Sequence, residues 1–113
     1  MKNKKGEVLN LYEIVPRPLV NSQGQADGRI VLLKPKFKNP FLIKMLQRNR
    51  RDNFYKLKLD EIGSACWTRF DGHKSAAAIC EELESQFGAQ VQPVAERVGK
   101  FLIMLKKANL IEY

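Results

Sequence analysis

LDEIGSACWTRFDGHKSAAAICEEL, residues 59–83, is the stretch on which the fold turns. Between Cys66 and Cys80 it gathers two thiols, Asp71 and His73, which could be a reactive cluster or plain framework. The spacing favours framework. Asp60 can cap a helix, and Ile62, Cys66 and Phe70 recur every four residues as one apolar face. Asp71-Gly72 closes that helix, and Ser75 caps the next. Ala76, Ile79, Cys80, Leu83 and Phe87 form the second apolar stripe, and Gly88 ends it. Each cysteine thus falls on a core stripe, where a free thiol behaves as a small hydrophobe. Zinc sites favour a Cys-x2-Cys knuckle, whereas these are Cys-x13-Cys, and His73 is the only histidine. A nucleophilic thiolate needs exposure and a nearby cation, which an apolar stripe does not offer. The stretch therefore predicts two helices and their corner, with no metal, no cofactor and no catalytic residue.

Downstream, Pro93 opens a third helix, with Val94, Val98, Phe101, Leu102 and Leu105 on its inner face. NLI (109–111) follows as a closing segment that packs back onto the core. Upstream, FYKLKL (54–59) alternates like a half-buried strand. KNPFLIKMLQRNRR (38–51) reads as a short basic amphipathic helix, capped by Asn39 with Pro40 at its first position. RIVLLKP (29–35) reads as a strand, NSQGQADG (21–28) as a turn, and YEIVPRPLV (12–20) as an edge strand because of Pro16 and Pro18. The strands at 12–20 and 29–35 together suggest a hairpin about the 21–28 turn. The expected class is α+β and winged-helix-like: an N-terminal three-stranded antiparallel sheet followed by a three-helix bundle. Residues 1–11 are expected as a mobile tail and 12–113 as one domain, with a basic helical insertion at about 37–52.

A chain of 113 residues with 44% hydrophobic content is enough for one core without staples. No apolar run is long enough to span a bilayer, so no membrane role is expected. The start MKNKK is basic, but Glu7 and Glu13 interrupt any signal-peptide h-region. Two cysteines without an export signal suit a reducing, cytoplasmic setting. Net charge is +8 and uneven: residues 1–58 hold 14 Lys and Arg against 4 Asp and Glu, a net of +10, while residues 59–113 hold 6 against 8. The basic half suits an acidic partner.

The order and spacing of residues 59–83 resemble the coenzyme PQQ synthesis protein D (PqqD) family. The shared pattern is Leu59, the cap Asp60, an apolar helix from Ile62 to Phe70, Asp71-Gly72, the cap Ser75, and then Ile79, Leu83 and Phe87. ERVGKFLIMLKKANLI (96–111) resembles the family's last helix and its terminal Leu-Ile, and VLLKP (31–35) resembles its second strand. The segment between Pro35 and the next strand is longer than in compact members by roughly one short helix. The resemblance implies a domain without catalysis of its own. It would bind the leader segment of a ribosomally made precursor peptide and present it to a modifying enzyme, often of the radical-SAM type. The leader would add as a strand beside the third strand and pack on the last helix.

Residues 54–59 and 94–105 support such a surface on physical grounds as well. Lys56 and Lys58 fall on one face of the strand, and Tyr55, Leu57 and Leu59 on the other. An unpaired edge there offers backbone groups to an extended peptide, and its lysines discourage indiscriminate pairing. On the last helix Met104 flanks the inner stripe beside Arg97 and Lys100, next to Phe101. An apolar spot rimmed by cations suits a peptide that alternates acidic and apolar residues, and methionine adapts to varied partners. The peptide-binding candidates are therefore Tyr55, Lys56, Leu57, Lys58, Arg97, Lys100, Phe101 and Met104. The rival is a winged-helix nucleic-acid-binding regulator. Its reading helix would be residues 75–87, which carry Glu81, Glu82 and Glu84 and no cation, a poor match to a polyanion. An enzyme is disfavoured, since no paired carboxylates, phosphate loop or nucleophile–base pair appears. Exposed strand edges leave monomer and homodimer both open.

Overall fold

The computed structural model describes residues 10–36 and 54–113. The basic helix expected at 38–51, within the insertion at 37–52, lies outside the described residues, as do residues 1–9. The strands are β1 (Arg17–Pro18), β2 (Asn21–Gly24), β3 (Ile30–Pro35), β4 (Phe54–Lys58) and β5 (Ile111–Glu112). Three helices, α1 (Glu61–Trp67), α2 (Ala76–Phe87) and α3 (Val94–Lys107), stand between β4 and β5, with a 3₁₀ turn at Gly88–Val91. Strands β2, β3 and β4 form an antiparallel sheet in that order, and β1 pairs antiparallel with β5. This is an α+β, winged-helix-like architecture with its three-stranded sheet ahead of its helices.

The helices start and stop for local reasons. Asp60 caps α1 by accepting the Gly63 N–H at 2.6 Å, and the Ser75 hydroxyl caps α2 by accepting the Ala78 N–H at 3.1 Å. Such a serine cap contributes about 1 kcal/mol. Between them the Asp71 carboxylate accepts the N–H groups of His73 and Lys74, both at 2.8 Å. Gly72 turns the chain at φ +77°, where a side chain would be strained. The donated N–H of Lys74, and then that of His73, hold the Asp71 carboxyl below its usual range. The contribution of that corner is therefore complete above the unfolded carboxyl's pKa and is lost as pH falls through the lowered folded value.

The core joins all the layers. Leu32 of β3, Ile79 and Leu83 of α2, and Leu102 and Leu105 of α3 are fully buried, as is Ile111 beyond α3. Cys66, Trp67 and Phe70 fill the space between α1 and the other helices, with Trp67 and Phe70 edge to face at 5.6 Å. Helix α1 ends at Trp67, short of the expected Phe70, yet Phe70 stays buried one turn further on. Arg69 ties α1 to α2. It donates to the Ala65 carbonyl at 2.8 Å, to Glu82 at 3.2 Å and to Gln86 at 2.7 Å. The sheet is docked by the Ile30 N–H, which donates to the Ser64 hydroxyl at 2.8 Å.

The N-terminal strands differ from expectation. The hairpin partner of β3 is Asn21–Gly24, the first half of the segment expected as a turn, and the turn itself is confined to residues 25–29. Every residue of β2 is exposed, so no apolar alternation marks it, and its pairing comes from β3 alone. The expected strand at 12–20 contributes only Arg17 and Pro18, opposite Glu112 and Ile111 of β5, with an Arg17–Glu112 ion pair. The residues before them form a strap over the corner: the carbonyls of Leu11, Ile14 and Pro16 accept the N–H groups of Ala77, Ala76 and Gly72. Pro16 is buried and uses only its carbonyl, the one backbone polar group it has. Leu11, placed by sequence in the tail, packs against the core.

Candidate peptide-binding groove

Strand β4 lies at the edge of its sheet, and among the described residues nothing pairs with its outer side. The Leu59 N–H donates to the Ile30 carbonyl at 2.8 Å, and the register pairs Leu57 with Leu32 and Tyr55 with Lys34. Backbone groups alternate in direction along an antiparallel strand. Tyr55 and Leu57 therefore turn their N–H and C=O groups toward β3, as Leu59 does its N–H, and Phe54, Lys56 and Lys58 turn theirs outward. Beside this edge runs a trough of about 360 Å³, walled by β4 on one side and α3 on the other. Its floor is Cys66, Leu83, Val91 and Val98, all buried, and Ile62 and Gly63 of α1 complete the lining with Leu59 and Asp60. Gly63 is required by close approach: a Cβ there would lie 2.9 Å from the capping Asp60 oxygen and 3.6 Å from the Phe101 ring. Leu57, 39% exposed, and Met104, 47% exposed, stand on opposite rims.

Of the sequence candidates, Leu57, Lys58, Arg97, Phe101 and Met104 line the trough together. Tyr55 and Lys56 lie on β4 but do not line it, and the Tyr55 ring faces the Lys36 ammonium at 5.3 Å. Lys100 lies outside the lining and pairs with Glu96 at 3.1 Å, one turn earlier on α3. Arg97 is fixed by donating to the Gln90 carbonyl at 2.6 Å. Lys58 faces Asp27 of the β2–β3 turn at 3.8 Å, and the Arg29 N–H is the main reason the Asp27 carboxyl sits below its usual range. Phe101 is half-buried, tilted against Phe70 at 6.4 Å, so it serves core and trough at once. Sequence reasoning missed the contributions of Leu59, Ile62, Gly63, Cys66, Leu83 and Val91. Apart from Val91, these lie in or beside the α1–α2 stripes, which periodicity marks as core without showing that the core opens to solvent beside β4.

The thiols are packing atoms. Burial pushes the Cys66 thiol up to about 12, and burial with Glu84 and Glu81 nearby raises that of Cys80. Among the described residues no group of three or more His, Cys, Asp or Glu is placed to hold a metal. Both thiols are expected to resist an aromatic disulfide reagent at pH 8 until denaturant unfolds the chain, as absorbance of the released thiolate would show. A raised thiol pKa favours the fold below the unfolded value of 9.0, and that stability is lost as pH rises through the folded value. Alkaline unfolding should therefore be eased by ionisation of Cys66.

Edge strand, trough and last helix define a class: winged-helix-like domains that hold an open β-edge beside an apolar helical wall. Within it, the chain belongs to the coenzyme PQQ synthesis protein D (PqqD) family, whose model matches residues 45–111. The match takes in β4, all three helices and the start of β5, and leaves β1–β3 before it. At the level of the family this is a peptide-binding adaptor of the PQQ type. No curated protein and no solved structure gives a match. Among the described residues no helix is long and apolar enough to cross a membrane.

Proposed function

We propose that the chain captures the leader segment of a ribosomally made precursor peptide by strand addition to β4. It then presents that precursor to a modifying enzyme, of the radical-SAM type in the family pattern, and makes or breaks no bond itself. The observation that carries this reading is the pair of outward-facing backbone positions, Lys56 and Lys58, next to a trough whose floor is apolar. Strand addition takes affinity from main-chain hydrogen bonds and specificity from pockets for alternate side chains. Here both stand side by side. A site of this kind holds its peptide at micromolar to sub-micromolar Kd, about −8 to −10 kcal/mol.

Met104→Asp tests the trough wall. The side chain is exposed, so the fold should be unaffected, while a carboxylate on the rim should weaken leader binding about tenfold or more, about 1.4 kcal/mol. Titration calorimetry against the leader peptide, with circular dichroism as the folding control, measures both. Unchanged affinity would remove Met104 from the site. Nucleic-acid binding is disfavoured because α2, which would enter a groove, exposes Glu81 and Glu84. Leader affinity should fall only mildly with salt, whereas binding to DNA would fall steeply.

A further inference from the structure

We propose that the segment captured at β4 alternates carboxylate and apolar side chains, with its carboxylates opposite Lys56 and Lys58 and its apolar side chain opposite Leu57 turned into the trough. This rests on the strand-addition reading and adds to it the register and chemistry of the ligand.

Two alternations on β4 coincide. Lys56 and Lys58 turn their backbone groups outward, so they form the hydrogen-bonded pairs with an incoming antiparallel strand. Their side chains share the sheet face of Leu33 and Val31, their register partners; Lys56 stays outside the trough, and Lys58 also touches its edge. Leu57 shares the face of its partner, the fully buried Leu32, and lines the trough. Residues directly opposite on adjacent strands share a face and bring their side chains within reach. A ligand residue bonded through its backbone to Lys56 or Lys58 must therefore meet an ammonium group. The residue between them must point between Leu57 and the α3 wall, over the buried apolar floor of Cys66, Leu83, Val91 and Val98, where an apolar side chain is favoured over a charge that must shed its water.

The outer face amplifies this selection. Among the described residues of the sheet it carries Val31, Leu33, Pro35, Phe54, Asn21 and Gln23 beside the two lysines, none of them acidic. Asp27 stands 3.8 Å from Lys58 and offsets part of its charge, so Lys56 is the stronger selector. Across the trough, Arg97 supplies a cation on the opposite rim that further disfavours a basic ligand.

Three capped synthetic peptides separate the outcomes: Ser-Glu-Leu-Glu-Leu-Glu-Ser, its block-ordered isomer Ser-Glu-Glu-Glu-Leu-Leu-Ser, and Ser-Lys-Leu-Lys-Leu-Lys-Ser. Fluorescence competition should rank the first at least about tenfold tighter than either of the others. Lys56→Glu should reverse the preference between the glutamate and lysine peptides, and Lys58→Glu should do so more weakly. Equal affinity for the alternating and block-ordered peptides, or an unchanged preference in Lys56→Glu, would overturn the proposal. N-methylation of the glutamate nitrogens, which blocks the inward hydrogen bonds without touching the protein, distinguishes the two levels. If the peptides bind equally but methylation abolishes binding, alternation is wrong and strand addition stands. If methylation changes nothing, strand addition falls, and the proposal with it.

Discussion

Lys56→Pro is expected to lower leader affinity by about 100-fold, about 2.7 kcal/mol, while the domain keeps its fold. The Lys56 N–H points out of the sheet, so its loss breaks no bond to β3. Proline is tolerated on an edge strand when the missing donor faces outward. For an added strand the same change removes one of the backbone donors and puts the pyrrolidine ring where the ligand's carbonyl should approach. The contrasting variant is Leu57→Pro, whose N–H is turned toward β3; it should unfold or fray the sheet. Titration calorimetry and thermal melts on both variants separate an edge used for binding from one that only needs to be intact.

Leu102→Ala should have the largest effect on stability and a different signature. Leu102 is fully buried at the centre of α3, and truncating such a leucine costs about 3 kcal/mol, transfer and cavity together. That is a large fraction of a domain's total of about 5–15 kcal/mol. Urea titration should show the midpoint falling at unchanged slope. Met104→Ala, two residues along the same helix, should leave the midpoint nearly where it was, because its side chain is exposed. The helix thus has a structural face and a binding face two positions apart, and the pair of variants tells them apart.

How much of this was legible in the sequence follows from which signals are local. Capping by Asp60 and Ser75, the Asp71-Gly72 corner and the stripes of α2 and α3 are set by residues within a turn of each other, and they read directly. The pairing of β2 with β3 was not legible, since Asn21, Ser22, Gln23 and Gly24 are polar, exposed and typical of turns; only β3 makes them a strand. The pairing of Arg17 and Pro18 with Ile111 and Glu112 joins the two ends of the chain, which no window of neighbouring residues can show. The strap at Leu11–Pro16 hid for the same reason: its carbonyls find donors at 72–77. The site was half legible. The alternation of β4 and the flank of α3 marked Leu57, Lys58, Arg97, Phe101 and Met104, which meet around one trough. Lys100 looked like a rim cation by helical angle, but Glu96 stands one turn before it and takes its ammonium instead. The floor was invisible because a buried leucine or cysteine looks the same whether its neighbour is core or a trough.

Hydrogen exchange at single amides of β4, with and without the precursor peptide, tests the central claim most directly. In the free protein the amides of Tyr55 and Leu57 should be protected and those of Lys56 and Lys58 should exchange freely. Saturating leader should slow Lys56 and Lys58 by at least about 100-fold. Protection of Lys56 and Lys58 before any peptide is added, or free exchange at both in the complex, would contradict capture of the leader as an added strand.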